Sequence, residues 1–252
     1  ENVVSLARNI GYVPRSKTAA KAEITFNVER PIGNDSGTVT LKRGLICTGD
    51  VNNTSYVFSI PESITKTFRE TSTGSFEALF ENIEIFEGTY LTKQFTHDGS
   101  LDQKFIINNS SLDTSTLKVY IKNENDNGLG IEYFPVDNII GIDSLSQIYL
   151  LQEVKDEQYE LLFGDGLIGK KLGTDKDSDG NIITANYIIT SGKEGNGVQN
   201  FSFSGSLELS SGSLINPSNI SVTTNQASQN GGDIESIDSI KYFAPKIYSA
   251  QS

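Results

Sequence analysis

The stretch AEITFNV, residues 22–28, sets Ala22, Ile24, Phe26 and Val28 at every second position, with Glu23, Thr25 and Asn27 between them. Successive side chains of an extended chain point to opposite faces, so this spacing describes a strand with one buried face and one wet face. A helix needs apolar residues three and four apart, and that spacing stands just upstream. In VVSLARNI, residues 3–10, Val3, Leu6, Ala7 and Ile10 share one helical face, and Gly11 follows where a C-terminal cap sits. The segment reads as the end of a helix that began earlier in the chain.

Downstream the period of two persists. GTVTL (37–41), SYVFSI (55–60), NIEIFEG (82–88), QKFIIN (103–108), TLKVYIK (116–122), QIYLLQEV (147–154), YELLFG (159–164) and ANYIIT (185–190) repeat it. Clusters of Gly, Asn, Asp and Ser, the residues that build turns, separate them. The fold class expected is mainly β (α+β overall): an antiparallel β-rich domain, or two small β subdomains, flanked by helices at both termini. Within the Ser- and Asn-rich text of 200–230, FSFSGSLEL (201–209) still alternates and reads as a hairpin or edge strand. After NGG (230–232) the period returns to that of a helix. Asp233 can cap it, Glu235 suits its positive end, and Ile234, Ile237 and Ile240 or Lys241 carry it to Phe243. Pro245 predicts a break or kink, with a second helical turn in PKIYSAQS. The segments are then 1–17, an upstream helix end and linker; 18–200, the β region, with a division near 96 open; 201–232, hairpin or edge; and 233–252, helical.

Composition excludes several classes. Apolar residues make up 36% of the 252, and 23 glycines bring the total near that of an ordinary globular chain, so the chain can bury a core. NIIGI and QIYLL are among the longest apolar runs, far short of the roughly 20 residues a membrane helix needs. A net charge of −12 argues against nucleic acid, whose phosphates must be neutralised by Lys and Arg. The single Cys47 allows no internal disulfide framework, and no signal peptide is visible. The chain begins at Glu1 and has no methionine, which reads as a fragment of a longer product.

The stretch most like a chemical site is GTDKDSDGN, residues 173–181. Asp175, Asp177, Asp179, Gly180 and Asn181 match positions 1, 3, 5, 6 and 7 of a calcium loop. Position 12 is Asn186 in place of the bidentate Glu, and neither flank is helical, so a solvated turn without a metal is the favoured reading. Calcium is the one candidate cofactor. FGDGLIG (163–169) lacks the order of a phosphate-binding loop and reads as a tight turn with Gly164, Gly166 and Gly169 at positive φ. His97, the sole histidine, reads as an exposed loop residue, and Cys47 as a small buried apolar one. Glu77, Glu81, Glu84 and Glu87 read as solvated charges along a strand. No nucleophile, base and orienting group come together, so the expectation is a protein that is not an enzyme.

Several phrases, in order along the chain, point one way. NNSSLDTSTLKVYI (108–121), DSLSQIYLLQEVKDEQYELLFGDGLIGKKL (143–172), NYIITSGKEGNGV (186–198) and GGDIESIDSIKYFAPKIYSAQS (231–252) together resemble the baseplate J-like family, in the form found among wedge proteins of T-even-type contractile-tailed bacteriophages. SLARNIGYVPRSKTAAKAEITF (5–26) fits that family's passage from helix to β region. The resemblance implies a structural subunit of the virion tail baseplate, assembled in the host cytoplasm. It also implies other wedge proteins and copies of itself as partners, within a larger hetero-assembly that rearranges on sheath contraction, and no catalytic residues. The Asp-rich insert at 173–181 departs from the family pattern. A β-rich receptor- or glycan-binding adhesin, with calcium at that loop, is the alternative from the residues themselves, and a hydrolase ranks below both.

Overall fold

The computed structural model describes the chain apart from residues 1–2, 4–5, 8–11, 13, 31–36, 101, 138–139, 155–156, 175–178, 217–219 and 252, with backbone alone over 247–251. Two compact units divide it. Unit I comprises Glu1–Ser16, Thr92–Tyr187 and Ile234–Ser252; unit II comprises Lys17–Leu91 and Ile188–Asp233. No helix among the described residues is long and apolar enough to cross a membrane.

Unit II is built on β1 (Lys21–Arg30), the strand that contains AEITFNV. Its alternate residues Ala22, Ile24, Phe26 and Val28 are buried, as the spacing predicts. β7 (Phe76–Glu87) runs antiparallel to it and sets Ile85, Ile83, Phe80 and Ala78 opposite those four, with a register shift between Ile24 and Phe26. Phe26 and Phe80 stack with centroids 4.8 Å apart. Adding β3 (Gly44–Val51), β4 (Thr54–Ile60), β6 (Arg69–Glu70), β15 (Phe201–Phe203) and β18 (Val222–Gln229) completes a sheet in the order β15-β3-β4-β7-β1-β18, with β6 on β7. A four-stranded sheet, β17 (Leu214–Ile215), β16 (Leu207–Leu209), β2 (Thr38–Leu41) and β5 (Ile64–Thr67), contributes Val39, Leu41 and Leu207 to the same core. Each large aliphatic or aromatic side chain buried there contributes about 2 kcal/mol.

The strand FSFSGSLEL is divided between these two sheets. β15 pairs with β3 at the end of the large sheet's order, while β16 pairs with β2 and with β17, the antiparallel strand that follows it. The large sheet also closes on itself. The chain leading into β15 bonds to β18 through Gly197 N–H to Ser228 O at 2.7 Å and Ser228 N–H to Val198 O at 2.9 Å. Closure removes exposed strand edges, which otherwise invite pairing with other chains.

Unit I holds a second seven-stranded sheet, in the order β8 (Thr89–Thr96), β14 (Ile182–Ile189), β10 (Leu112–Lys122), β11 (Ile131–Pro135), β12 (Ile148–Glu153), β13 (Tyr159–Phe163) and β9 (Phe105–Ile107). β11 and β12 pair in parallel, with Phe134 opposite Ile148, a departure from the antiparallel rule. The buried face carries Val119, Ile121, Tyr133, Tyr149, Tyr159 and Leu161. Phe105 meets Phe95 and Phe163 edge to face, each at 5.7 Å.

At the C-terminal end the helix α1 spans Ile237–Gln251 and runs through Pro245 without a break. It begins later than its sequence suggests. Asp233 lies outside it and is ion-paired with Lys193 at 2.7 Å, while Ser236 Oγ accepts the Ser239 N–H and caps the helix. Ile240 and Ala244 of α1 pack with Ala7, Tyr12 and Val3 in a small cluster of their own. The helix expected over residues 3–10 lies largely outside the described residues.

Candidate functional site

The Asp-rich loop is the first place to test. Asp175 and Asp177 lie outside the described residues. Asp179 is exposed and paired with Lys170 at 3.0 Å. The loop is closed by Gly173 N–H to Gly180 O at 2.9 Å, with Gly180 at φ +89°. Asn181 is fully buried at the start of β14, and its carbonyl, the oxygen a calcium loop would offer, accepts the His97 N–H at 2.7 Å. Among the described residues, the side-chain oxygen and nitrogen of Asn181 have no hydrogen-bond partner. Asn186 is buried too and accepts a bond from Thr92 Oγ1 at 2.9 Å. His97 is half-buried rather than exposed: its Nδ1–H donates to Gly173 O at 2.6 Å, so it braces the loop. Among the described residues no group of three or more His, Cys, Asp or Glu side chains could hold a metal ion.

The other singled-out residues serve the fold. Cys47 is buried, and burial pushes its thiol up to about 12. Glu77, Glu81 and Glu84 are exposed on β7, whereas Glu87 is buried, contrary to the solvated reading. Its Oε2 accepts Thr190 Oγ1–H at 2.5 Å and Ser191 N–H at 3.0 Å, bonds that offset the cost of burying a polar group there.

The feature that stands out chemically is on unit I. In FGDGLIG, Asp165 Oδ1 accepts the N–H groups of Leu167 at 2.8 Å and Ile168 at 2.9 Å, and these bonds hold its carboxyl below the usual range. Gly166 and Gly169 have positive φ, as the turn needs. Gly164 does not; it is required because a Cβ there would come within 2.2 Å of the Gly169 carbonyl carbon. A second turn of the same kind lies beside it. Asp143 Oδ1 accepts Ser146 Oγ–H at 2.7 Å and Leu145 N–H at 3.0 Å, which likewise depress its carboxyl. Gly169 N–H to Asp143 O and Lys170 N–H to Ser146 O, both 2.8 Å, tie the two turns together.

These rigid turns carry apolar side chains into solvent: Leu145 is 75% exposed, Leu167 80% and Ile168 40%. The outer face of the adjoining strands continues them with Phe134 and Leu162, both exposed. Register brings that face together, Phe134 opposite Ile148 and Leu162 opposite Leu150. Apolar side chains held out in solvent are the material of which interaction sites are made. Reading for catalytic motifs passed over it. The available signal was a leucine two residues after an aspartate in both DSLS and DGLI, where an Asx turn lifts the leucine off the surface.

The geometry defines a β-rich chain that presents a locked apolar surface. No family model matches the chain. It is similar to the baseplate wedge protein gp6 of Enterobacteria phage T4, with 25% identity over an alignment 260 positions long, gaps included, that covers 95% of this chain and 36% of that protein. The chain thus spans little more than a third of that relative's length, and the relationship is a distant one.

Proposed function

We propose that the chain is a structural part of a phage tail baseplate wedge, sited in the virion tail and acting through protein contacts rather than catalysis. It packs with other wedge proteins and with copies of itself into the ring around the tail hub, and takes part in the rearrangement when the sheath contracts. The observation that carries this reading is the similarity to a baseplate wedge protein along 95% of the chain. The exposed apolar turns support it, since a subunit of an assembly needs surface to bury against neighbours.

Electron microscopy of purified tails, extended and contracted, tests the proposal. The chain is expected to trace into baseplate density in both states, with different neighbours in each. Tails whose baseplate contains no copy of it would refute the reading.

A further inference from the structure

Three asparagines in the chain are followed by glycine, Asn127, Asn196 and Asn230, and the fold treats them differently. In such a pair the glycine's backbone nitrogen can attack the asparagine side-chain carbonyl carbon, because glycine has no Cβ to obstruct the approach. The reaction needs that nitrogen free to give up its proton and the side chain free to swing over it. At Asn196 neither holds. The Gly197 N–H donates to Ser228 O at 2.7 Å, while Asn196 Oδ1 accepts the Gly231 N–H at 2.8 Å and Nδ2 donates to Gly231 O at 3.1 Å. The bond to Oδ1 also engages the nitrogen that would attack Asn230, although Asn230 itself is exposed. Asn127 has no such guard. It lies in the connection 123–130 between β10 and β11, exposed together with Gly128, and among the described residues neither its side chain nor the Gly128 N–H has a hydrogen-bond partner. A Cβ on Gly128 would meet nothing within 4 Å, so a ring closing there finds open space.

We infer that Asn127 is a site of spontaneous deamidation, and that engagement of the following glycine amide is what spares Asn196 and Asn230. The Gly128 nitrogen gives its proton to solvent and bonds to Asn127 Cγ. The Cγ–Nδ2 bond then breaks, and Nδ2 leaves as ammonia with a proton taken from water, which closes a cyclic imide. A water molecule opens the ring at either carbonyl. Attack at Cγ leaves aspartate with the ordinary backbone, and attack at the main-chain carbonyl leaves isoaspartate, whose chain runs on through Cγ. The sum is amide plus water giving carboxylate plus ammonium, with nothing oxidised or reduced. The product adds a negative charge to a chain at −12, in a loop where Glu124 and Asp126 are already exposed. The change is independent of the baseplate role, since it accumulates with the age of the molecule whatever its neighbours are.

The whole chain is aged in mildly alkaline heavy-oxygen water, digested under acid conditions in ordinary water, and mapped by tandem mass spectrometry with a fragmentation that separates isoaspartate from aspartate. Asn127 is expected to convert to a mixture of both, each carrying heavy oxygen, at least roughly tenfold faster than Asn196 and Asn230, whose conversion waits on local opening of the bonds at Gly197 and Gly231. In unfolding urea the three rates draw together, since each is then an unprotected pair. Asn196→Ala removes the acceptor of the Gly231 N–H, so Asn230 is expected to convert at a rate approaching that of Asn127. Slow reaction of the buried Cys47 with a disulfide reagent shows that this variant is folded; if it is not, the wild-type ranking alone decides. Asn196→Asp keeps an oxygen for that N–H and is expected to leave Asn230 protected. Asn127 staying intact, Asn196 or Asn230 converting as fast as Asn127 in the folded wild type, or Asn230 unchanged in folded Asn196→Ala would each overturn the inference.

Discussion

Ser228 shows how one side chain can close a sheet. Its Oγ donates to Gly195 O at 2.7 Å and accepts the Val198 N–H at 2.8 Å, beside the two backbone bonds already described, and the residue is buried. Ser228→Ala leaves a carbonyl and a buried amide unpaired, which costs about 1–3 kcal/mol. Thr224, on the same strand, donates to Gln199 O at 2.7 Å in an exposed position, where water can replace the bond. Urea unfolding is therefore expected to show a clear loss for Ser228→Ala and less than about 1 kcal/mol for Thr224→Ala. Equal effects would mean that the seam is not held at Ser228. Nothing in VTTNQASQ announces this role. The strand has almost no apolar face, so periodicity passes over it, and a serine among serines and asparagines looks like loop filler. Glu87 was hidden for the opposite reason: it continues a row of exposed glutamates, and only the partners supplied by 190–191 make its burial possible.

At the scale of elements, the strands of AEITFNV type were legible because an alternating pattern can bury only one face, and the structure places them as strands. The division of FSFSGSLEL between two sheets was not legible, since alternation says which face is buried but not against which neighbour. The start of α1 at Ile237 lies beyond Asp233, whose carboxylate is paired with Lys193 and caps no helix. The link between α1 and the N-terminal segment also depends on distant partners. Glu235 accepts the Tyr12 hydroxyl at 2.8 Å, the Arg15 N–H at 3.0 Å and the Ser239 hydroxyl at 2.5 Å. Burial raises the pKa of this carboxyl, but the bonds from Ser239, Arg15 and Tyr12 together with the Arg15 charge outweigh it and leave the group below its ordinary 4.5. A depressed carboxylate contributes stability that is present above 4.5 and lost as pH falls through its lower folded value. Tyr12 is raised from 10.0 to about 12, by burial first and then by the bond to Glu235, so its contribution is present below 10 and lost as pH climbs through about 12. Wild type is therefore expected to be more stable than Glu235→Gln at pH 7, with the difference shrinking below pH 4.5. A constant difference across acid pH, measured by urea midpoints, would remove the carboxylate from this joint.

For the whole molecule, the two units are threaded through each other in sequence: the chain leaves unit I after Ser16, re-enters it at Thr92, leaves again after Tyr187 and returns at Ile234. Local periodicity carries no trace of this, because β1 finds β18 near the other end of the chain and only the folded pairing reveals it. The threading has a physical consequence at the place where unit II is interrupted. A Cβ on Gly88 would lie 2.1 Å from the Ile189 carbonyl oxygen, and Glu87 bonds to Thr190, so the chain already meets itself just inside the ends of unit II at Leu91 and Ile188. Its core, from Ala22 to Leu207, is supplied by its own segments. Excising residues 89–188 and joining Gly88 to Ile189 with two or three glycines, each reaching about 3.5 Å, closes the chain with little loop entropy. The shortened protein is expected to fold as the two sheets of unit II. Cys47 reports on it, since its burial in that core shields the thiol from a disulfide reagent until unfolding. Slow thiol reaction that accelerates sharply at a cooperative urea midpoint confirms an autonomous unit, whereas reaction at the unfolded rate in buffer shows that unit II needs residues 89–188 to fold.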